Sequence, residues 1–326
     1  MHYAIARGLW VAVIAALAVG TTPALAQSFS KPVRIIVPFA PGGNSDILAR
    51  LIGPKLQEII GQPVVVENKP GGGAHIGSEL VAKADKDGHT LLLCDLSHLA
   101  IAPTLMPNLT YNTTKDLTPI GMITFAPYVI TVNPEFPAKS IAELVAYGKA
   151  NPGKLLFANP SIGAANHLTF LHIAKSWGIE VKAVPYKGGG DAMKAVVSGE
   201  SHVTMNGATT SAAFMSSNQV RPLAVSGDQR LAGYNDLPTF KELGIQPVDA
   251  GTWQGLLVTS GSPPALVTRL SAELNKILAM PDIVKRINDL GGTIKSGPAS
   301  DMVGWIERNS ASFGKIIKET GVKLQQ

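Results

Sequence analysis

The sequence predicts an α/β fold of two lobes, each a mainly parallel sheet flanked by helices, facing one cleft. Three observations predict it. Short β-branched apolar runs alternate with segments of helical periodicity, the pattern of βαβ units. Most of these runs end in a glycine- or small-residue loop, and ligand sites gather at such C-terminal strand ends. With an N-terminal leader removed, about 300 residues remain, a length that favours two domains over one.

The leader covers residues 1–26. Arg7 gives a positive start, residues 8–20 an apolar stretch, and Ala24-Leu25-Ala26 a small-residue cleavage site. The apolar stretch is short and small-residue-rich for a membrane span, so cleavage after Ala26 and export to the periplasm are expected. Loss of Arg7 lowers the formal net charge from +5 to +4. The basic residues are scattered, without blocks or interleaved aromatics, which argues against nucleic acid as a partner. Cys94, the only cysteine, lies in the apolar run TLLLC and is expected to be a packed core thiol.

In order, Val33, Ile35, Ile36 and Val37 predict a buried strand. Pro41-Gly42-Gly43 forms a turn, and Asn44, Ser45 and Asp46 supply the cap and first turn of a helix continued by Ile47, Leu48, Leu51 and Ile52. Strand, glycine turn and helix N-terminus together aim backbone N–H groups and a positive dipole end at one spot, which suits an anion. A strand at 63–68, a helix at 74–84 entered through glycines, and a strand at 90–96 follow, then polar loop at 108–116. Residues 120–132 form a long apolar stretch interrupted at Pro127, suited to leaving the first lobe. Ser140 and Glu143 make a capping box.

A second α/β run follows, with strands at 155–159, 180–186, 202–207 and 221–227, most feeding a small-residue loop and a helix. The last third predicts a short helix at 238–243, a strand at 251–260, and helices at 264–279, 282–290 and 299–320. In the last of these, Val303, Ile306, Phe313, Ile316 and Ile317 are expected to cover a sheet face.

No catalytic constellation emerges. There is no Gly-x-Ser-x-Gly elbow, no Walker loop and no Gly-x-Gly-x-x-Gly. His167 and His172 are five residues apart, hence on different helix faces, so no metal site is expected. Asp46, His167 and Lys187 are acid–base candidates, read here as caps and ligand contacts instead. An enzyme is not expected, and no cofactor is implied.

At this point the ordered segments VPFAPGGNSDILAR, GQPVVVENKPGGG, AKADKDGHTLLL, HLTF, VPYKGGG, RPLAVSG, LPTFKELG and WQGLLV resemble a known family. They are similar to the TctC/Bug-type extracytoplasmic solute-binding receptors of tripartite tricarboxylate transporters, across essentially the whole mature chain. The resemblance implies a flytrap-like periplasmic binding fold closing on a small organic anion, with lobe 1 at 27–122 and 226–326 and lobe 2 at 123–225. It implies transfer to membrane permease subunits by a monomeric receptor. Loops 39–46 and 159–167 would hold one carboxylate, partly through waters.

Carried onto this chain, the candidate ligand contacts are Phe39, Ala40, Gly42, Gly43, Asp46, Gly73, Ala74, Ser97, Ser161, Gly163, Ala164, His167 and Asn206. Asp46 is expected to cap its helix, because its charge would repel an anion. Phe39 and Trp253 are candidates for stacking on a planar ligand. Two departures from the family pattern bear on the ligand. Gly163-Ala164 lacks the usual hydroxyl, and Asn206 stands where an Asp is common. Both turn the expectation toward a di- or aromatic carboxylate and away from an amino acid. The alternatives are a ligand-sensing receptor for a membrane kinase and, more remotely, an exported α/β hydrolase.

Overall fold

The computed structural model describes residues 29–106, 108–247 and 250–323; the leader expected over residues 1–26 lies outside them. Strand β1 (Val33–Val37) leads through the glycine turn into helix α1 (Asn44–Ile60). Strand β2 (Val64–Asn68), helix α2 (His75–Ala82), strand β3 (Thr90–Asp95) and helix α3 (Leu96–Leu105) complete the first run. β2 and β3 flank β1 in parallel, Ile35 facing Val66 on one side and Leu91 on the other.

Strand β4 (Leu117–Val132) ties the molecule together. Sixteen extended residues reach about 50 Å, enough to cross both sheets. Its first part pairs antiparallel with β9 (Gly251–Thr259), and β9 pairs in turn with β3. Its last part pairs with β7 (Val203–Gly207) on one side and β8 (Arg221–Val225) on the other. The strand is not broken at Pro127. Proline cannot donate to a ladder, and here it sits where pairing passes from Gly251 to Gly207, so the missing N–H falls between two ladders. Short β10 (Thr293–Ile294) adds to the first part of β4.

The second lobe comprises α4 (Ile141–Ala150), β5 (Leu155–Asn159), α5 (Ala165–Ser176), β6 (Val181–Pro185), α6 (Gly189–Val197), β7 and α7 (Ala208–Ser216). The parallel order holds for β2-β1-β3 and for β6-β5-β7, whereas β4 and β9, which cross back, pair antiparallel. Before α4, the Ser140 hydroxyl accepts from the Glu143 N–H at 3.2 Å, and the Glu143 carboxylate accepts from the Lys139 N–H.

Alternate residues of each strand enter opposite cores. Ile35 packs with Leu48 and Ile52 of α1 and with Leu270 and Leu274 of α8 (Pro264–Leu278). Ile36 and Cys94 pack on the other face with α10 (Ala299–Thr320), and α9 (Pro281–Asp289) joins the first core. Cys94 is fully buried, which pushes its thiol pKa up.

Three sequence expectations are corrected. Helix α3 was not anticipated, because LSHLAIAPTL is apolar all round and carries no 3.6-residue stripe. Residues 238–243 form turns, not a helix: Thr239 and Glu242 exchange cap bonds at 3.1 and 2.8 Å, but Gly244 in the left-handed region stops the chain at once. Val303 is exposed, since Met302, Trp305 and Ile306 already occupy the buried face of α10.

Candidate functional site

Five helix N-termini meet one cleft between the lobes. Its lining takes Gly43, Asn44 and Ser45 from α1, Asp95, Ser97 and His98 from α3, and Ala164, Ala165 and Asn166 from α5. Gly188 and Gly189 come from α6, and Gly207 and Thr210 from α7. Four of these termini (α1, α5, α6, α7) have no side-chain cap; only α3 is capped, by Asp95 accepting from the Ser97 N–H at 2.8 Å. Open N-termini present N–H groups and a partial positive charge. No Lys or Arg lines this cleft. Ile101, Ala102, Leu105 and Met106 give it an apolar wall.

An outer cavity shares Phe39, Gly73, Leu105, Met106, Ser161 and Ile162 with the cleft and adds Ala74, Tyr186 and Lys187. The lobes also touch directly. The Ala40 N–H donates to the Lys187 carbonyl at 3.0 Å. Turn 41–43 lies against glycines 188–190 so closely that a Cβ on Gly190 would stand 2.5 Å from the Pro41 carbonyl oxygen.

Of the sequence candidates, Phe39, Gly43, Gly73, Ser97, Ser161, Gly163, Ala164 and Asn206 come together in the cleft, and Ala74 lies in the outer cavity. Ala40, Gly42, Asp46 and His167 do not line the cleft. Gly43, not Asn44, is the cap of α1, so Asn44, Ser45 and Asp46 form its first turn. Asp46 accepts from the Gly42 N–H at 2.9 Å and from Arg50 and Asn68 at 3.0 Å each. Burial alone would raise its pKa, but Arg50, the Gly42 N–H and Asn68 together hold it below the usual carboxylate value. His167 accepts from the Gly163 N–H at 3.1 Å through Nδ1, fixing the 161–164 turn, and burial lowers its pKa to about 4. Trp253 packs against Phe125 and Trp305 at 4.6 and 5.6 Å between ring centroids and is absent from the cleft lining.

Sequence reading missed a buried polar network on the cleft floor. Ser45 Oγ donates to Gln254 Oε1 at 2.7 Å, Gln254 Nε2 donates to Thr252 Oγ1 at 2.6 Å, and Thr252 Oγ1 donates to Asp95 Oδ2. Asp95 and Gln254 are direct cross-strand partners. Burial pushes the Asp95 carboxyl up, against donation from Thr252 and Ser97. Neighbouring His98 is neutral, its pKa lowered by burial to about 4. Asp95 could have been found as the acidic residue ending β3 two before Ser97, an N-cap spacing at a ligand-facing strand end. Among the described residues, no group of three or more His, Cys, Asp or Glu is placed to hold a metal ion, and no helix is long and apolar enough to cross a membrane.

Comparison with known proteins agrees with this architecture. The family model described as "Tripartite tricarboxylate transporter family receptor" (TctC) matches residues 48–322. BugT of Bordetella pertussis (strain Tohama I) is 32% identical over 297 residues, covering 91% of each chain. The solved periplasmic binding protein BugD is 31% identical, with a TM-score of 0.86 over 91% of this chain and 100% of its own. R. palustris Rpa4515, solved with adipate, is 28% identical, with a TM-score of 0.86 over 90% of this chain and 98% of its own. These relatives are binding proteins for transport, not enzymes. On this evidence the chain belongs to the TctC/Bug family of tripartite tricarboxylate transporter receptors.

Proposed function

We propose that the mature chain is a monomeric periplasmic receptor. It captures a small organic carboxylate by lobe closure and delivers it to permease subunits of a tripartite tricarboxylate-type transporter. The observation that carries this reading is the convergence of four uncapped helix N-termini on a cleft without Lys or Arg. Such termini bind carboxylates through N–H groups and dipole, each contributing about 0.3–1 kcal/mol. The same cavity with lysines would hold an anion as a point charge and gain little from orienting it.

The lobes are assigned to residues 27–122 with 226–326, and to 123–225. The passage of β4 from β9 to β7 between Pro127 and Tyr128 supports a crossing within a few residues of the first of these boundaries. The ligand is proposed to be a di- or aromatic carboxylate ahead of an amino acid. Asn206, bonded through Nδ2 to Thr204 at 3.1 Å, brings no charge for an ammonium to meet. Adipate on Rpa4515 supports the dicarboxylate class.

The test is a thermal-shift screen of the leaderless protein against mono-, di- and tricarboxylates, aromatic acids and amino acids. A ligand at 100 times its Kd stabilises by about 2.7 kcal/mol. A clear rise in Tm for a narrow group of acids, each recovered unchanged, is the expected result. No rise with any acid, or recovery of a converted product, overturns the reading.

A further inference from the structure

We propose that Asp95 makes the cleft select carboxylates that also carry a hydroxyl, as a hydrogen-bond donor, on the carbon next to the bound carboxylate. The inference rests on the carboxylate reading above and deepens it.

The direction of every proton on the cleft floor follows from Asp95. A threonine hydroxyl has one proton, and that of Thr252 goes to Asp95 Oδ2. Thr252 Oγ1 can therefore only accept from its other neighbours, and it does so from Gln254 Nε2 at 2.6 Å and Asn44 Nδ2 at 3.4 Å. Gln254 must then turn its Oε1 toward Ser45, whose hydroxyl donates to it at 2.7 Å. Asn44, having turned its Nδ2 to Thr252, is left with a buried Oδ1 that meets no donor. Asn44 is 8% exposed and lines the cleft.

The floor thus offers two acceptors, Asp95 and the Asn44 oxygen, with the Ser97 hydroxyl as the neighbouring side-chain donor. Asp95 takes the Ser97 N–H on Oδ1 and Thr252 on Oδ2, with Gln254 Nε2 more distant at 3.5 Å. An ionised carboxylate has about four lone-pair sites, so room for a donor remains. No Lys or Arg lines the cleft to supply one. Burial also raises the Asp95 pKa, so a further donor reaching it in this poorly solvated place counts for more than at the surface.

An unsubstituted acid leaves the Asn44 oxygen unpaired and sets its own charge near that of Asp95. An acid with a donor beside its carboxylate satisfies the floor while its carboxylate rests on the helix termini. The donor belongs beside the carboxylate because Asn44 and Ser45, in the first turn of α1, are the residues wired through Thr252 and Gln254 to Asp95.

Isothermal titration of the leaderless protein with three matched series tests this. The series are succinate, L-malate and L-aspartate; glutarate, 2-hydroxyglutarate and L-glutamate; and phenylacetate, mandelate and phenylglycine. In the series that binds, the hydroxy member should bind at least about tenfold more tightly than its unsubstituted parent. Asp95→Asn should reduce that preference to within about threefold, with folding checked by circular dichroism. If Asp95→Asn does not fold, the wild-type series decides. Unsubstituted acids binding within threefold of their hydroxy partners overturn the selection by Asp95 and leave the receptor reading standing. A preference that survives in folded Asp95→Asn overturns it too. If no acid in any series binds, the carboxylate reading itself falls and this inference with it.

Discussion

Replacing Gly190 with alanine separates closure of the lobes from their folding. Gly190 is the second residue of α6, and its backbone is not in the left-handed region. Alanine there costs the second lobe nothing locally, and relative to glycine a helix position gains roughly 0.5–1 kcal/mol. In the structure the new Cβ meets the Pro41 carbonyl oxygen at 2.5 Å and the backbone of Gly42 at 3.0–3.2 Å. Backbone cannot rotate away as a long side chain would. Overpacking of this kind costs about 1–3 kcal/mol, and an arrangement that parts turn 41–43 from glycines 188–190 on ligand release would not bear it. Affinity for the tightest-binding acid should therefore fall about 5- to 150-fold, while the Tm of the ligand-free protein stays level or rises. Calorimetric titration beside a thermal melt reads both. An unchanged Kd, within about twofold, refutes the claim that turn 41–43 and glycines 188–190 meet when ligand is held.

Other predictions follow from the same geometry. His98 and His167 are held neutral with pKa lowered to about 4, whereas in the unfolded chain they titrate near 6.5, so the unfolded state binds more protons below that pH. Stability is full above pH 6.5 and falls toward pH 4 by up to about 1.4 kcal/mol per pH unit for each histidine; urea melts at pH 7.5, 6 and 5 should show the fall, and a flat profile contradicts it. The lowered Asp46 pKa adds a loss only as pH drops below about 4, the unfolded carboxyl value. Asp46→Ala removes the bonds to Gly42, Arg50 and Asn68 and should destabilise by about 1–3 kcal/mol; a denaturant midpoint equal to wild type would count against that role. Lys187→Ala should leave the Kd within about threefold, because the Lys187 carbonyl, not its ammonium, meets Ala40; a large loss of affinity would show that the anion depends on a lysine after all.

Much of the fold was legible because its signals are local. The strand, glycine turn and helix from Val33 to Ile60, and the cap at Ser140, each lie within a few residues of sequence. Helix α3 was hidden because burial on every side erases the periodicity by which helices are recognised. At 238–243 the cap pair is present, but Gly244 ends the turn before a helix can propagate. The site was half legible. Loops 39–46 and 159–167 announced themselves by glycine and small residues, whereas Asp95, Thr252 and Gln254 meet only through the antiparallel pairing of β3 with β9, some 160 residues apart. The glycines of Lys187-Gly188-Gly189-Gly190 let one lobe's backbone approach the other's.

The most direct measurement is a crystal structure of the leaderless protein with its tightest-binding acid. The account predicts one carboxylate in the inner cleft, bonded directly or through water to backbone N–H groups at the starts of α1 and α5, with no Lys or Arg against it. A ligand paired with Lys187 in the outer cavity, or bound away from those helix termini, would contradict it.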